Sequence, residues 1–139
     1  MELAHEIFRW SKTYSVHIAV LDEQHRHLVE TLNELHHALA AGHGNSVLDQ
    51  VLQKLLNYAR EHFATEERLM KQHTFPGLPT HRTQHQEFLD KIAEFEQARA
   101  AGKPGVPVSL LFFAEAWLKQ HVRKTDQLYS GFLNARGVY

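Results

Sequence analysis

Leucine-rich stripes with helical spacing run the length of this chain, and at several points histidine or a carboxylate stands where the stripe calls for Leu, Val or Phe. Leu21, His25, Leu28, Leu32, Leu35 and Leu39 alternate steps of four and three, the seam of an amphipathic helix. A second seam runs Leu48, Leu52, Leu55, Ala59, His62, Glu66, Leu69, and a third runs Leu78, His81, His85, Phe88, Ile92, Phe95. The fourth runs Leu110, Ala114, Trp117, His121 and is read as resuming at Leu128 and Phe132. Burying a polar group without a partner costs about 1–3 kcal/mol on protein-derived scales, and an unpaired charge costs far more. Polar groups repeated along four inner faces must therefore satisfy one another or bind something, and a metal centre would satisfy them together.

No stretch alternates like a strand, so the reading is all-α. Breakers divide the chain into an arm, residues 1–20, and helices at about 22–40, 46–72, 79–101 and 109–133. The arm carries Phe8, Trp10, Tyr14, Val16 and Ile18, enough apolar surface to lie against a bundle without forming its own core. Asp22 is the expected N-cap of the first helix and Gly42 to Asn45 its stop. Ser46 with Asp49 resembles a capping box for the second, Pro79 suits the first turn of the third, and Gly102, Pro104, Gly105 and Pro107 place a break before Ser109. Short links between long helices favour antiparallel neighbours, so we expect an up-down-up-down four-helix bundle with an extended N-terminal arm, all in one domain over 1–139.

Three spacings carry the chemistry: His62-x-x-x-Glu66, His81-x-x-x-His85 and His121-x-x-x-x-Asp126, joined by the single His25. Residues four apart on a helix lie about 40° apart around the axis, so the first two pairs can each grip one centre. Residues five apart lie about 140° apart, so His121 and Asp126 need either a π-type bulge or a centre wide enough for Asp126 to reach from the flank. Five imidazoles and two carboxylates exceed the needs of one ion and fit two sharing bridging carboxylates. Cysteine is absent, so thiolate sites are excluded, and nitrogen and oxygen donors suit iron, zinc, copper or nickel. The histidine excess belongs to the chain itself, since its 12 histidines spread from His5 to His121 rather than clustering as a tag.

With a formal charge of -1 and basic residues scattered among acids, the chain has no global attraction to nucleic acid or anionic membranes. Its longest uninterrupted apolar run, Leu110 to Ala114, is far short of a membrane span, and the expected location is the cytoplasm.

The ordered set His25, His62, Glu66, His81, His85, His121, Asp126, with Trp10 in the arm and Trp117 four before His121, resembles the hemerythrins in their bacterial single-domain form. The resemblance covers about Phe8 to Phe132 and implies a non-haem centre of two Fe ions, oxo- or hydroxo-bridged, that binds dioxygen reversibly. It implies His81, His85 and His121 on one iron, His25 and His62 on the other, and Glu66 and Asp126 bridging both, with one position left open on the iron holding two histidines. Family behaviour is two-electron reduction of the gas to a bound hydroperoxide, reversed on release, with no general base required. Leu28, Phe63, Trp117, Leu118 and Val122 adjoin ligands in the stripes and are the expected lining of the oxygen pocket, where an apolar wall would exclude water and protons. Tyr129 and Trp10 are placed as supports behind the ligands. The family commonly has glycine where this chain has His17, which bears on the path of the arm.

The expected function is oxygen carriage, storage or sensing without catalytic turnover, by a monomer, with an oxygen-consuming enzyme as a further candidate partner. A di-iron oxidase or peroxidase of the ferritin-like kind is the alternative. That group uses Glu-x-x-His on two helices, and the helical match here is Glu34-x-x-His37, which lies off the seam. A metal-storage or zinc-binding bundle is the third reading. Among the other histidines, His36 and His73 are expected to be partly buried, and His5, His17, His27, His37 and His43 exposed. Phe88, Phe95, Phe112, Phe113 and Phe132 are expected in the core or at its margin.

Overall fold

A computed structural model describes residues 10–139. After a short 3-10 turn at Lys12–Tyr14, the helices are α1 (Ala19–Ala40), α2 (Gly44–Gln72), α3 (Leu78–Ala100) and α4 (Val106–Trp117). The last helix continues through a π-helical segment, Leu118–Thr125, into α5 (Gln127–Asn134). The expected site residues lie near the starts of α1 and α3 and toward the ends of α2 and the last helix, all at one level. Successive helices therefore alternate in direction, as a four-helix bundle with short links requires.

That level divides the interior in two. On one side is a large apolar cluster that includes Leu28, Leu32, Leu55, Phe88, Leu110 and Leu118; on the other is a smaller one made of Val16, Ile18, Leu21, Met70, Leu78, Tyr129 and Leu133. The arm thus helps close the short end of the bundle. Burying Val16 and Ile18 contributes roughly 1.5–3 kcal/mol each. Ser130 Oγ donates to the Val16 carbonyl at 2.7 Å, and Gln127 Nε2 to that of Ser15 at 2.9 Å. His17 stands in the left-handed region at φ 58°, a conformation that glycine adopts at no steric cost. Phe8 and His5 lie outside the described residues.

Several boundaries differ from the sequence reading. α1 begins three residues earlier than expected, and Asp22 does not cap it: its carboxylate turns back to accept from Val16 N–H at 2.8 Å and Ser15 Oγ at 2.6 Å, fastening the arm. α2 starts at Gly44 with no side-chain cap, so Ser46 and Asp49 form no capping box. The last helix starts at Val106 because Pro107 falls in its first turn, where its missing N–H is no loss. Downstream of His121 the inner face is Tyr129 and Leu133; Leu128 is 69% exposed and Phe132 half-buried. The π segment holds one more residue per closed hydrogen-bonded turn, which moves the seam on by one. Phe112 is 66% exposed rather than core, since Ala114 and Leu110 occupy the inner face there. His37 is half-buried, edge-on to His36, whereas His36 and His73 are half-buried and His17, His27 and His43 exposed, as expected.

The ends of α1, α2, α3 and α5 share one backbone device, a left-handed residue just past the helix whose following N–H bonds back to the last turn. Gly42, Gly102 and Gly137 fill three of these places, and Thr74, at φ 57°, fills the fourth, with Phe75 N–H bonded to the Met70 carbonyl at 2.9 Å. A β-branched residue is strained in that region, by roughly 1–2 kcal/mol. Thr74→Gly relieves the strain against a somewhat greater entropy of the unfolded chain, and we expect a net gain of about 1 kcal/mol, or roughly 3 °C in thermal melting.

Candidate metal centre

α1 contributes His25, α2 His62 and Glu66 one turn apart, α3 His81 and His85 one turn apart, and the last helix His121 and Asp126. None is more than 4% exposed. The five-residue interval of the last pair is spanned by an Asp126 N–H to His121 carbonyl bond of 2.8 Å, the i to i+5 bond that defines a π turn. Of the two accounts left open by the sequence, the wide turn is the one found. It brings both side chains to the same inner face.

Two groups of donor atoms result. The nitrogens of His81, His85 and His121 lie within 4.8 Å of one another, as do the donors of His25, His62, Glu66 and Asp126. The carboxylates stand between the groups. Asp126 Oδ1 is 2.8 Å from His81 Nε2 and 2.9 Å from His121 Nε2, while its Oδ2 is 3.2 Å from His25 Nε2. Glu66 Oε1 is 3.1 Å from His62 Nε2 and 3.2 Å from His85 Nε2. The other oxygen of Glu66 accepts from the Tyr129 hydroxyl.

Three imidazoles are oriented from a neighbouring helix. Gln24 Oε1 accepts from His62 Nδ1 at 2.6 Å, Gln84 Oε1 from His121 Nδ1 at 2.8 Å, and Glu67 Oε2 from His85 Nδ1 at 2.8 Å. An acceptor at Nδ1 fixes the proton there and leaves the Nε2 lone pair aimed at the centre, the arrangement by which outer groups orient metal-binding histidines. Aromatic rings hold the same three: Phe63 lies flat on His85 at 3.8 Å, Trp117 on His121 at 3.9 Å, and Tyr58 on His62 at 5.1 Å. Gln24, Gln84 and Glu67 each sit one position from a seam histidine or glutamate, outside the seams that helical periodicity picks out. The signal that could have found them is that adjacency itself, once the neighbouring helix is known. Tyr58 lies one turn before His62 in the second seam's flank and was also missed.

The expected pocket residues Leu28, Phe63, Leu118 and Val122 are buried in the large apolar cluster, and Trp117 packs against it half-buried. Trp10 meets Tyr14 and lies under the Arg26 guanidinium.

Burial weighs on His25, His62, Glu66, His85 and Asp126 alike. It pulls His25 and His85 down, but carboxylates beside them, Asp126 for the first and Glu66 for the second, more than offset it and leave both raised. For His62 burial wins over the attraction of Glu66, and the pKa falls. Burial and mutual repulsion push Glu66 up, yet its imidazole neighbours hold it below the usual carboxylate range; Asp126, pressed up by burial, is held well below by His121, His25 and His81. Even so, His25 Nδ1 and Nε2, the Nε2 atoms of His62, His85 and His121, Glu66 Oε1 and Asp126 Oδ2 are covered and lack an aligned hydrogen-bond partner among the described residues. Such atoms converging from four helices fit cations bound by nitrogen and oxygen donors.

Fold and site together define a class: helical bundles whose mid-interior is a two-centre, cysteine-free cation site. Within it, this chain belongs to the family of the hemerythrin HHE cation binding domain, whose model matches residues 16–133. It is similar to a bacteriohemerythrin of Stenotrophomonas maltophilia, 31% identical over 91% of this chain and 81% of that protein. It is equally similar to a hemerythrin of Sipunculus nudus, 31% identical over 91% of this chain and 93% of the relative. A crystal structure of a leucine-to-tyrosine hemerythrin mutant superposes with a TM-score of 0.82 at 25% identity, covering 92% of this chain and 98% of that one. Among the described residues no helix is long and apolar enough to cross a membrane.

Proposed function

We propose that this chain binds dioxygen reversibly at a pair of iron ions, oxo- or hydroxo-bridged, held by His81, His85 and His121 on one side and His25 and His62 on the other, with Glu66 and Asp126 shared. The observation that carries this reading is the placing of two carboxylates between two groups of Nε2 atoms whose opposite ring nitrogens are already engaged at three of five histidines. The iron pair, when bound, supplies the electrons that oxygen takes up and returns.

The chain's own residues supply position and dryness. Gln24, Gln84 and Glu67 lock the imidazoles in their tautomers, and Tyr129 holds one oxygen of Glu66. Leu28, Phe63, Trp117, Leu118 and Val122 line the space on the large-core side and keep water from it. Burial, with the charges of Glu66 and Asp126 behind it, keeps the protons on Tyr58 and Tyr129, so neither serves as a base near neutral pH. This favours carriage, storage or sensing over turnover. Glu34, which the oxidase alternative would need inside, is engaged at the surface by Lys54 at 2.6 Å and Gln50 at 3.0 Å. We place the protein in the cytoplasm, as a monomer and a single domain over 1–139, with an oxygen-consuming enzyme as the candidate recipient.

The test is optical. An anaerobic, ferrous-loaded sample should develop colour in oxygen and lose it on degassing over repeated cycles. Steady oxygen consumption with a reductant and no reversible colour would favour the oxidase reading instead.

Metal uptake should depend on pH with a definite sign. His25 and His85 have raised pKa values, so as pH falls both take up, before a free imidazole would, protons that a cation must displace, while His62, with a lowered pKa, takes one up later. Ferrous binding to the apo protein should weaken as pH falls, beginning above the ordinary histidine value of about 6.5 and becoming severe by about 5. Binding isotherms across that range check it, and a flat affinity would contradict coordination by five imidazoles.

A further inference from the structure

Beyond the candidate ligands, the Tyr58 hydroxyl and the Trp117 indole N–H are buried polar groups with no aligned hydrogen-bond partner among the described residues. Both belong to rings laid on histidines of the centre, Tyr58 on His62 and Trp117 on His121. Tyr58 is 8% exposed and borders the groove between α1 and α2, but its hydroxyl oxygen is covered. The hydroxyl lies toward Trp117, across the interior from α2 to the last helix; Tyr58 belongs to the large apolar cluster and Trp117 packs against it. A phenol can accept one hydrogen bond and donate another, whereas an indole can only donate. The pair is therefore set to run in one direction: Trp117 N–H toward the Tyr58 oxygen, and the Tyr58 proton onward to a third group that none of the described residues provides.

We infer that the Tyr58 hydroxyl donates a hydrogen bond to the small ligand, dioxygen or its anionic analogue azide, held at the centre beside His62. This rests on the iron reading above. Tyr58 occupies the turn of α2 on the large-core side of His62, whereas Glu66 occupies the turn on the other side, so the hydroxyl meets the ligand from the dry side of the centre. Its role is positioning and retention of the ligand, with no proton given up.

Iron-loaded Tyr58→Phe keeps the ring and its stacking and removes only the donor. Azide titration of the oxidised proteins, followed by absorption, should show binding at least about tenfold weaker than in wild type, the range for a hydrogen bond to a charged acceptor, with iron content and melting temperature unchanged. The infrared stretch of bound azide should shift in D2O for wild type and lose that shift in Tyr58→Phe. Trp117→Phe, which also keeps a ring on His121, should retain the D2O shift and weaken azide by less. Equal affinity and equal D2O shifts in wild type and Tyr58→Phe would overturn the inference. Failure of wild type to take up an iron pair would instead strike the reading beneath it.

Discussion

Asp126→Ala should reduce the protein's capacity from two metal ions to at most one, and it should destabilise the apo form by about 3–5 kcal/mol. Both effects come from one side chain because Asp126 touches three imidazoles from two groups, His81 and His121 through one oxygen and His25 through the other. Its removal leaves buried nitrogens facing one another without an acceptor, and it deletes a charge that raises His25 against the pull of burial. Asp126→Asn separates the contributions, since the amide keeps the shape and one acceptor but not the charge. It should fold more nearly like wild type while still failing to hold the second ion. Metal counting by elemental analysis with urea unfolding of the apo proteins checks both parts, and an alanine variant that binds two ions at unchanged affinity would contradict the bridging role.

Stripping the metal from wild-type protein is expected to lower its melting temperature by roughly 10–20 °C. A ligand present at about a thousand times its dissociation constant stabilises the folded state by about 4 kcal/mol, and each kcal/mol moves the melting point of a chain of this size by a few degrees. The structural cause is the row of covered, unaligned Nε2 and carboxylate atoms at mid-interior, which the apo protein carries as a cost and the loaded protein does not. Scanning calorimetry before and after anaerobic chelation measures it, and coincident transitions would argue that these atoms bind no cation.

The four seams were readable because imidazole and carboxylate at core positions violate the one rule that burial enforces most strongly, and that violation is visible from side-chain type alone. His25, His62, Glu66, His81, His85 and His121 all lie at the level where the four stripes meet. What could not be read was anything set by the approach of one helix to another. Gln24, Gln84 and Glu67 look like ordinary flank residues until α1, α3 and α2 present them to histidines across the gap. The change of seam from Leu128 to Tyr129 escaped for a related reason: periodicity arguments assume one winding throughout, and only the five-residue interval before Asp126 hinted otherwise. Helix starts at Gly44 and Val106 were missed because proline and capping signals mark regions more reliably than single positions.

From His121 the inward residues fall at intervals of five, three and four: Asp126, Tyr129, Leu133. Strike out one of the exposed pair Arg123 and Lys124 and the intervals become four, three and four, the cadence of unbroken α-helix. Loss of a single codon there would thus leave the downstream inward set in phase, whereas gain of one would swing the carboxylate, the phenol that steadies Glu66 and the closing leucine outward together. Tolerance of length change at this point in the gene is one-sided.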